Sequence, residues 1–173
     1  MTPPVLRRVP SADGVVSLAT FDYGGTGANV LFLHGNGLHV RAFDPMLRQL
    51  RRAGFRVVGL DQRGAGASTL PEGAACARSA LHGGSHKRFS LPGGADLHWQ
   101  RMGDDVLAVQ DALGLRGCLG CGHSLGGCAL LLAEAKREEE TRKAIMEART
   151  AAEAETLRKV QEEADREVRM SGG

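Results

Sequence analysis

The fold is decided by ten residues, Cys118-Leu119-Gly120-Cys121-Gly122-His123-Ser124-Leu125-Gly126-Gly127. Cys118 to Cys121 is a short apolar run that predicts a strand, and Leu125 to Ala135 predicts an apolar helix. Between them lies G-x-S-x-G, Gly122 to Gly126. A serine placed directly after a strand and directly before a helix sits on a sharp turn that lifts its hydroxyl above the sheet. Glycine is needed at 122 and 126 because such a turn is tight and neighbouring backbone comes close. The Leu125 N–H, at the start of a helix, then faces the place where an oxyanion would form.

Upstream of this turn, strands and helices alternate. Val15 to Asp22 is β-prone, and Tyr23-Gly24-Gly25-Thr26-Gly27 is a turn. Val30-Leu31-Phe32-Leu33 is a continuous apolar run, as in a strand buried on both faces. Asp44 is expected to cap a helix, with Pro45 in its first turn, Phe43, Met46, Leu47 and Leu50 on its apolar face, and Gly54 as its stop. Phe55 to Leu60 is a second buried strand, ended by Asp61. Residues 70–98 form an irregular stretch rich in Gly, Ser, Ala and His. Asp104 and Asp105 suit a helix N-terminus, with Val106, Val109 and Leu113 as its apolar face. The expectation is strands near 29–34, 55–61 and 116–121, and helices near 43–53, 103–113 and 125–135. This order makes an α/β protein, a mostly parallel sheet with helices on both faces.

The chain has 173 residues, 22 Lys+Arg against 20 Asp+Glu, and therefore a net charge too small to imply a nucleic-acid partner. No apolar run is long enough for a membrane span, and the N-terminus lacks the apolar core of a secretory signal. Four cysteines are too few for a disulfide scaffold, so a reducing, cytoplasmic setting is expected.

Two unlike segments meet near Ala135. Residues 1–127 hold 22 of the 24 glycines and all six prolines, whereas Cys128 to Ser171 contains neither. Lys136 to Met170 carries nine basic and ten acidic residues, which reads as one charged helix. The expected organisation is therefore 1–135 as a segment of alternating strands and helices and 136–173 as a helical tail. The tail's stripe of Leu157, Val160, Ala164 and Val168 fits a solvated single helix better than a coiled coil, because Leu or Ile does not hold the a and d positions over several heptads.

Three predicted strand ends carry distinctive residues: His34-Gly35-Asn36-Gly37, Asp61-Gln62-Arg63-Gly64-Ala65-Gly66-Ala67-Ser68, and Gly122-His123-Ser124-Leu125-Gly126-Gly127. In this order and at these boundaries, residues from about 13 to 135 resemble the N-terminal half of an α/β-hydrolase fold protein of the serine esterase and lipase kind. The resemblance implies an incomplete α/β-hydrolase fold followed by a long charged helix. It implies Ser124 as nucleophile and the backbone N–H groups of Leu125 and Asn36 as oxyanion hole. His34, Gly35, Gly122, His123, Gly126 and Gly127 would support the motifs. The implied reaction is acyl transfer to water from a carboxylic ester or similar small acyl substrate, with no cofactor and no metal.

In that family the triad acid and histidine follow the serine in chain order. After Ala135 this chain has no His and no strand pattern, so neither acid nor base is found there. The change of pattern at Lys136 suggests a truncated, alternatively spliced or fused chain, weakly active or inactive. The alternative is a non-catalytic half that binds a protein partner, or itself, through its tail or through the edge of the strand at Cys118 to Cys121, which is strand 5 in the family's order. In the family's sheet order a sixth strand covers strand 5, and without one that strand becomes an open edge. His82, His86 and His98 read as solvated loop histidines, one of which could substitute as base. Cys118 and Cys121 lack the further ligands of a zinc site and are expected to pack as small apolar residues on opposite faces of their strand.

Overall fold

A computed structural model describes residues 2–69 and 99–171. Its strands are β1 Val5–Pro10, β2 Ser17–Gly24, β3 Asn29–Leu33, β4 Arg56–Asp61 and β5 Leu119–Gly122. Its helices are α1 Asp44–Arg52, α2 Trp99–Ala112 and α3 Leu125–Ser171, with a short 3-10 turn, Val40–Phe43, ahead of α1. The stretch 70–98, with His82, His86 and His98, lies outside the described residues.

The five strands form one sheet in the order β1-β2-β4-β3-β5. β1–β2 and β2–β4 pair antiparallel, and β4–β3 and β3–β5 pair parallel. The apolar runs at 30–33 and 57–60 have no polar alternation because both faces of these strands are covered. Leu31, Leu33, Val58 and Leu60 pack with Val106 and Val109 of α2 and Ala129 and Ala133 of α3. Val30, Phe32 and Val57 point the other way, onto Leu47 of α1 and Val40. Cys118 joins the first cluster and Cys121 the second, so the two thiols do lie on opposite faces. Among the described strands β5 pairs only with β3 and so lies at the sheet edge.

Three local expectations need correction. α2 begins at Trp99, not near 103, so Asp104 and Asp105 lie within the helix rather than at its start. Asp105 is 2% exposed, and an arginine from across the fold decides its place. Asp44 is the first residue of α1, after an N-cap at Phe43, and no side chain caps that end. Its carboxylate instead accepts the Tyr23 hydroxyl and the Arg41 Nε–H. β1 was not among the expected strands. Only Val9 of its six side chains is buried, so it shows no apolar pattern, and backbone pairing with β2 makes it a strand.

By its internal contacts the chain divides into two compact units, Met1–Glu134 and Ala135–Gly173. The helix α3 runs through the boundary without a break, as a stretch free of Gly and Pro allows. In the second unit Lys143–Glu147, Arg149–Glu153, Arg158–Glu162 and Lys159–Glu155 pair one turn apart. Such exposed pairs support a solvated helix modestly. No helix among the described residues is long and apolar enough to cross a membrane.

Candidate active site

The three motifs leave the sheet at one level. Leu33 pairs with Leu60 on one side and with Gly122 on the other. The loops after β3 and β4 and the turn after β5 therefore emerge side by side at the carboxyl ends of parallel strands, where open α/β sheets bind ligands.

Ser124 occupies the turn between β5 and α3 with φ +52°, the one positive φ among described non-glycine residues. That left-handed conformation costs about 1–2 kcal/mol for an L residue. The turn is held by Gly126 N–H to His123 O at 3.0 Å, Gly127 N–H to Ser124 O at 2.9 Å and His123 N–H to Leu33 O at 3.0 Å. Its glycines are set by close approach. A Cβ on Gly126 would stand 2.4 Å from the Leu33 carbonyl oxygen, and one on Gly122 2.4 Å from the Gly127 nitrogen. A Cβ on Gly35 would meet the His123 ring at 2.5 Å. Gly127 differs, because a Cβ there would make only an ordinary 3.7 Å contact. Ser124 is exposed, as are Asn36 and His123. Among the described residues no group accepts the N–H of Leu125 or of Asn36.

His34 is buried and structural. Its Nε2 accepts the Gln62 N–H at 3.1 Å, so the ring proton is on Nδ1, which lies 2.8 Å from the Gly35 carbonyl oxygen. Burial holds this imidazole below its ordinary value, against the pull of the Gly35 carbonyl and Asp61. A neutral ring makes the 3.8 Å approach to Asp61 a polar contact, not an ion pair. The Gln62 side chain adds a hydrogen bond from Nε2 to the His34 carbonyl at 2.5 Å. The His123 ring lies beside Phe43, 5.7 Å between centroids.

The Asp61–Ser68 motif is a brace. Asp61 accepts the Val40 N–H at 2.7 Å and the Ala67 N–H at 2.8 Å. Ser68 Oγ donates to the Asp61 carbonyl at 2.5 Å and accepts the Ala19 N–H at 2.8 Å. Arg63 holds Asp105 through two short hydrogen bonds and reaches Asp13 at 3.2 Å. Burial opposes the Arg63 charge, yet the carboxylates of Asp105 and Asp13 hold its value above the ordinary one. Gln62 and Arg63 carry no role in the sequence reading, and their membership of this motif is the only signal that marks them.

Of the residues singled out from sequence, Ser124, Leu125, Gly122, Gly126, Gly35 and His123 come together at one place, with Asn36 in the adjoining loop. No histidine or carboxylate hydrogen-bonds the Ser124 hydroxyl among the described residues. No cluster of three His, Cys, Asp or Glu side chains suited to a metal ion occurs among them either.

The family model described as alpha/beta hydrolase fold matches residues 28–165, which carries the likeness past Ala135 into the charged helix. A putative non-heme haloperoxidase of Mycobacterium phage D29 is 30% identical over 122 residues, 70% of this chain and 36% of that protein. The AB hydrolase superfamily protein YisY of Bacillus subtilis (strain 168) is 30% identical over 115 residues, 66% of this chain and 34% of that protein. An esterase from Exiguobacterium antarcticum superposes with a TM-score of 0.56 at 24% identity, covering 73% of this chain and 38% of that one. Epoxide hydrolase A from Mycobacterium thermoresistibile superposes with a TM-score of 0.54 at 25% identity, covering 73% of this chain and 33% of its own. The chain thus spans about a third of the length of these relatives. With its sheet order, its strand-end motifs and this match in hand, the chain belongs to the alpha/beta hydrolase fold family.

Proposed function

We propose that Ser124 is the nucleophile of a serine-hydrolase site, with the Leu125 and Asn36 N–H groups as its oxyanion hole. The observation that carries this is an exposed serine held at positive φ between a strand and a helix, with those two N–H groups left unpaired among the described residues. In the proposed step Ser124 Oγ bonds to the carbonyl carbon of a small carboxylic ester, and the oxyanion is held by the two N–H groups. The alcohol then leaves with the serine proton, and water releases the acid. A base raises such a hydroxyl's reactivity, and loss of triad members leaves ~10³–10⁴-fold catalysis over water. The chain is therefore proposed to acylate slowly, as a partial catalytic fold over 1–135 with 136–173 as tail. Free thiols on Cys118, Cys121 and Cys128 suit a reducing, cytoplasmic setting. A fluorophosphonate probe tests the nucleophile. Slow labelling of the wild type that Ser124→Ala abolishes supports it, and labelling that survives the substitution sinks it.

A second reading has its own support. Among the described strands β5 lies at the sheet edge, with Leu119 at 55% exposure, and such an edge pairs readily with another strand. In this reading the chain is a non-catalytic hydrolase half whose β5 edge or helical tail engages a protein partner or a second copy. Probe labelling at Ser124 and association measured by sedimentation separate the two readings.

A further inference from the structure

We infer that His34 is a positioning residue whose ring turns the Asn36 N–H toward the strand-end surface that carries Ser124. The inference rests on the proposed role of Asn36 and adds the device that aims it.

The chain of cause starts at Gln62. Its backbone N–H can only donate, and it donates to His34 Nε2 at 3.1 Å. Nε2 therefore holds a lone pair, and the neutral ring carries its proton on Nδ1. The Gly35 carbonyl oxygen, 2.8 Å away, accepts that proton and also accepts the Leu38 N–H at 3.2 Å. Two donors thus fix the direction of one carbonyl, and the His34 side chain is 2% exposed, so the carbonyl points into the protein. The Gly35–Asn36 peptide is trans and planar, which sets its N–H opposite its C=O. With the carbonyl turned inward, the Asn36 N–H is turned outward. It meets no acceptor among the described residues, and Asn36 is exposed. Two contacts stop this peptide from rotating. The His123 ring fills the space where a Gly35 Cβ would be, 2.5 Å from its ideal position. The Gln62 Nε2–H grips the His34 carbonyl at 2.5 Å, one peptide earlier. His34 thus acts through Gly35 and would touch no substrate.

Two variants of the full chain separate positioning from packing. His34→Asn keeps an N–H donor near the Nδ1 position, whereas His34→Leu fills the space without one. The fluorophosphonate labelling rate at Ser124, taken per folded chain, is expected to fall by about 10²–10³ in His34→Leu, the usual effect of losing one oxyanion donor. His34→Asn is expected to recover most of that loss. Ring nitrogen shifts should show Nδ1 protonated, and the Asn36 amide signal should move in His34→Leu but stay near its wild-type place in His34→Asn. Equal labelling of the two variants, an unmoved Asn36 amide in His34→Leu, or a proton on Nε2 overturns the inference. A wild-type chain that does not label at Ser124 sinks the active-site proposal instead, while the amide and ring signals still decide the role of His34.

Discussion

Arg63 reaches 42 residues along the chain to hold Asp105, Nε to Oδ2 at 2.6 Å and Nη2 to Oδ1 at 2.7 Å, with both side chains buried. The pair ties the loop after β4 to the middle of α2. Removing one member leaves a buried charge alone, which destabilises by about 3–5 kcal/mol. Arg63→Met is therefore expected to lower the urea midpoint sharply, and Arg63→Met with Asp105→Leu to recover much of the loss. A double variant no better than the single one would show that the pair adds stability beyond its mutual neutralisation.

The buried imidazole of His34 makes stability depend on pH. Its folded value lies below the ordinary 6.5 because burial disfavours the charged ring. Above the ordinary 6.5 both folded and unfolded chains are neutral at this site. As pH falls below it, the unfolded chain takes a proton that the native ring resists, so stability drops until the folded value is passed. Asp61 and His39 are the charged groups that act on the ring, the first favouring protonation and the second opposing it. Urea unfolding between pH 7.5 and 5 should show this loss, and His34→Asn should flatten it. Asp13 acts in a separate and lower window. Burial raises its carboxyl, but hydrogen bonds from Ser11, Val15 and Arg63 outweigh that and hold it well below its ordinary 3.8. Its contribution is present above 3.8 and is lost only as pH falls below it.

Ser124 stores backbone strain that a glycine would relieve. Ser124→Gly and Ser124→Ala both delete the hydroxyl, but only glycine accepts φ +52° without penalty. The glycine variant should be the more stable of the two by about 1 kcal/mol. Equal midpoints in urea would mean that the turn relaxes once the hydroxyl is gone.

Gly126 marks where α3 touches β3. A methyl there would fall 2.4 Å from the Leu33 carbonyl oxygen and 2.7 Å from that of His34, both rigid backbone. Gly126→Ala should destabilise by about 1–3 kcal/mol, as overpacking usually does. Gly127→Ala, with one 3.7 Å contact, should not, and calorimetry of the two side by side checks the difference.

The β5 edge predicts association of the isolated chain. Leu119 is 55% exposed on a strand paired on one side only among the described residues. A lysine on an edge strand discourages further pairing. Leu119→Lys should shift the chain toward monomer in sedimentation. A wild-type chain that is already monomeric at high concentration would refute the edge as an association site.

The sequence by itself determined what local chemistry determines. The apolar runs at 30–33 and 57–60 mark buried strands, and the absence of Gly and Pro from Cys128 to Ser171 marks an unbroken helix. The G-x-S-x-G turn is legible because a strand, a tight turn and a helix follow one another within a dozen residues. These signals act over a few positions along the chain. Tertiary structure decided the rest, because the partners are far apart in sequence. β1 is a strand only through its pairing with β2, since five of its six side chains are exposed and only Val9 is buried. Asp105 looks like a helix-start residue until Arg63, 42 positions earlier, pairs with it. The proton of His34 is placed by the Gln62 N–H, 28 residues on. Gly35 is required by the ring of His123, which only the parallel pairing of β3 with β5 brings beside it.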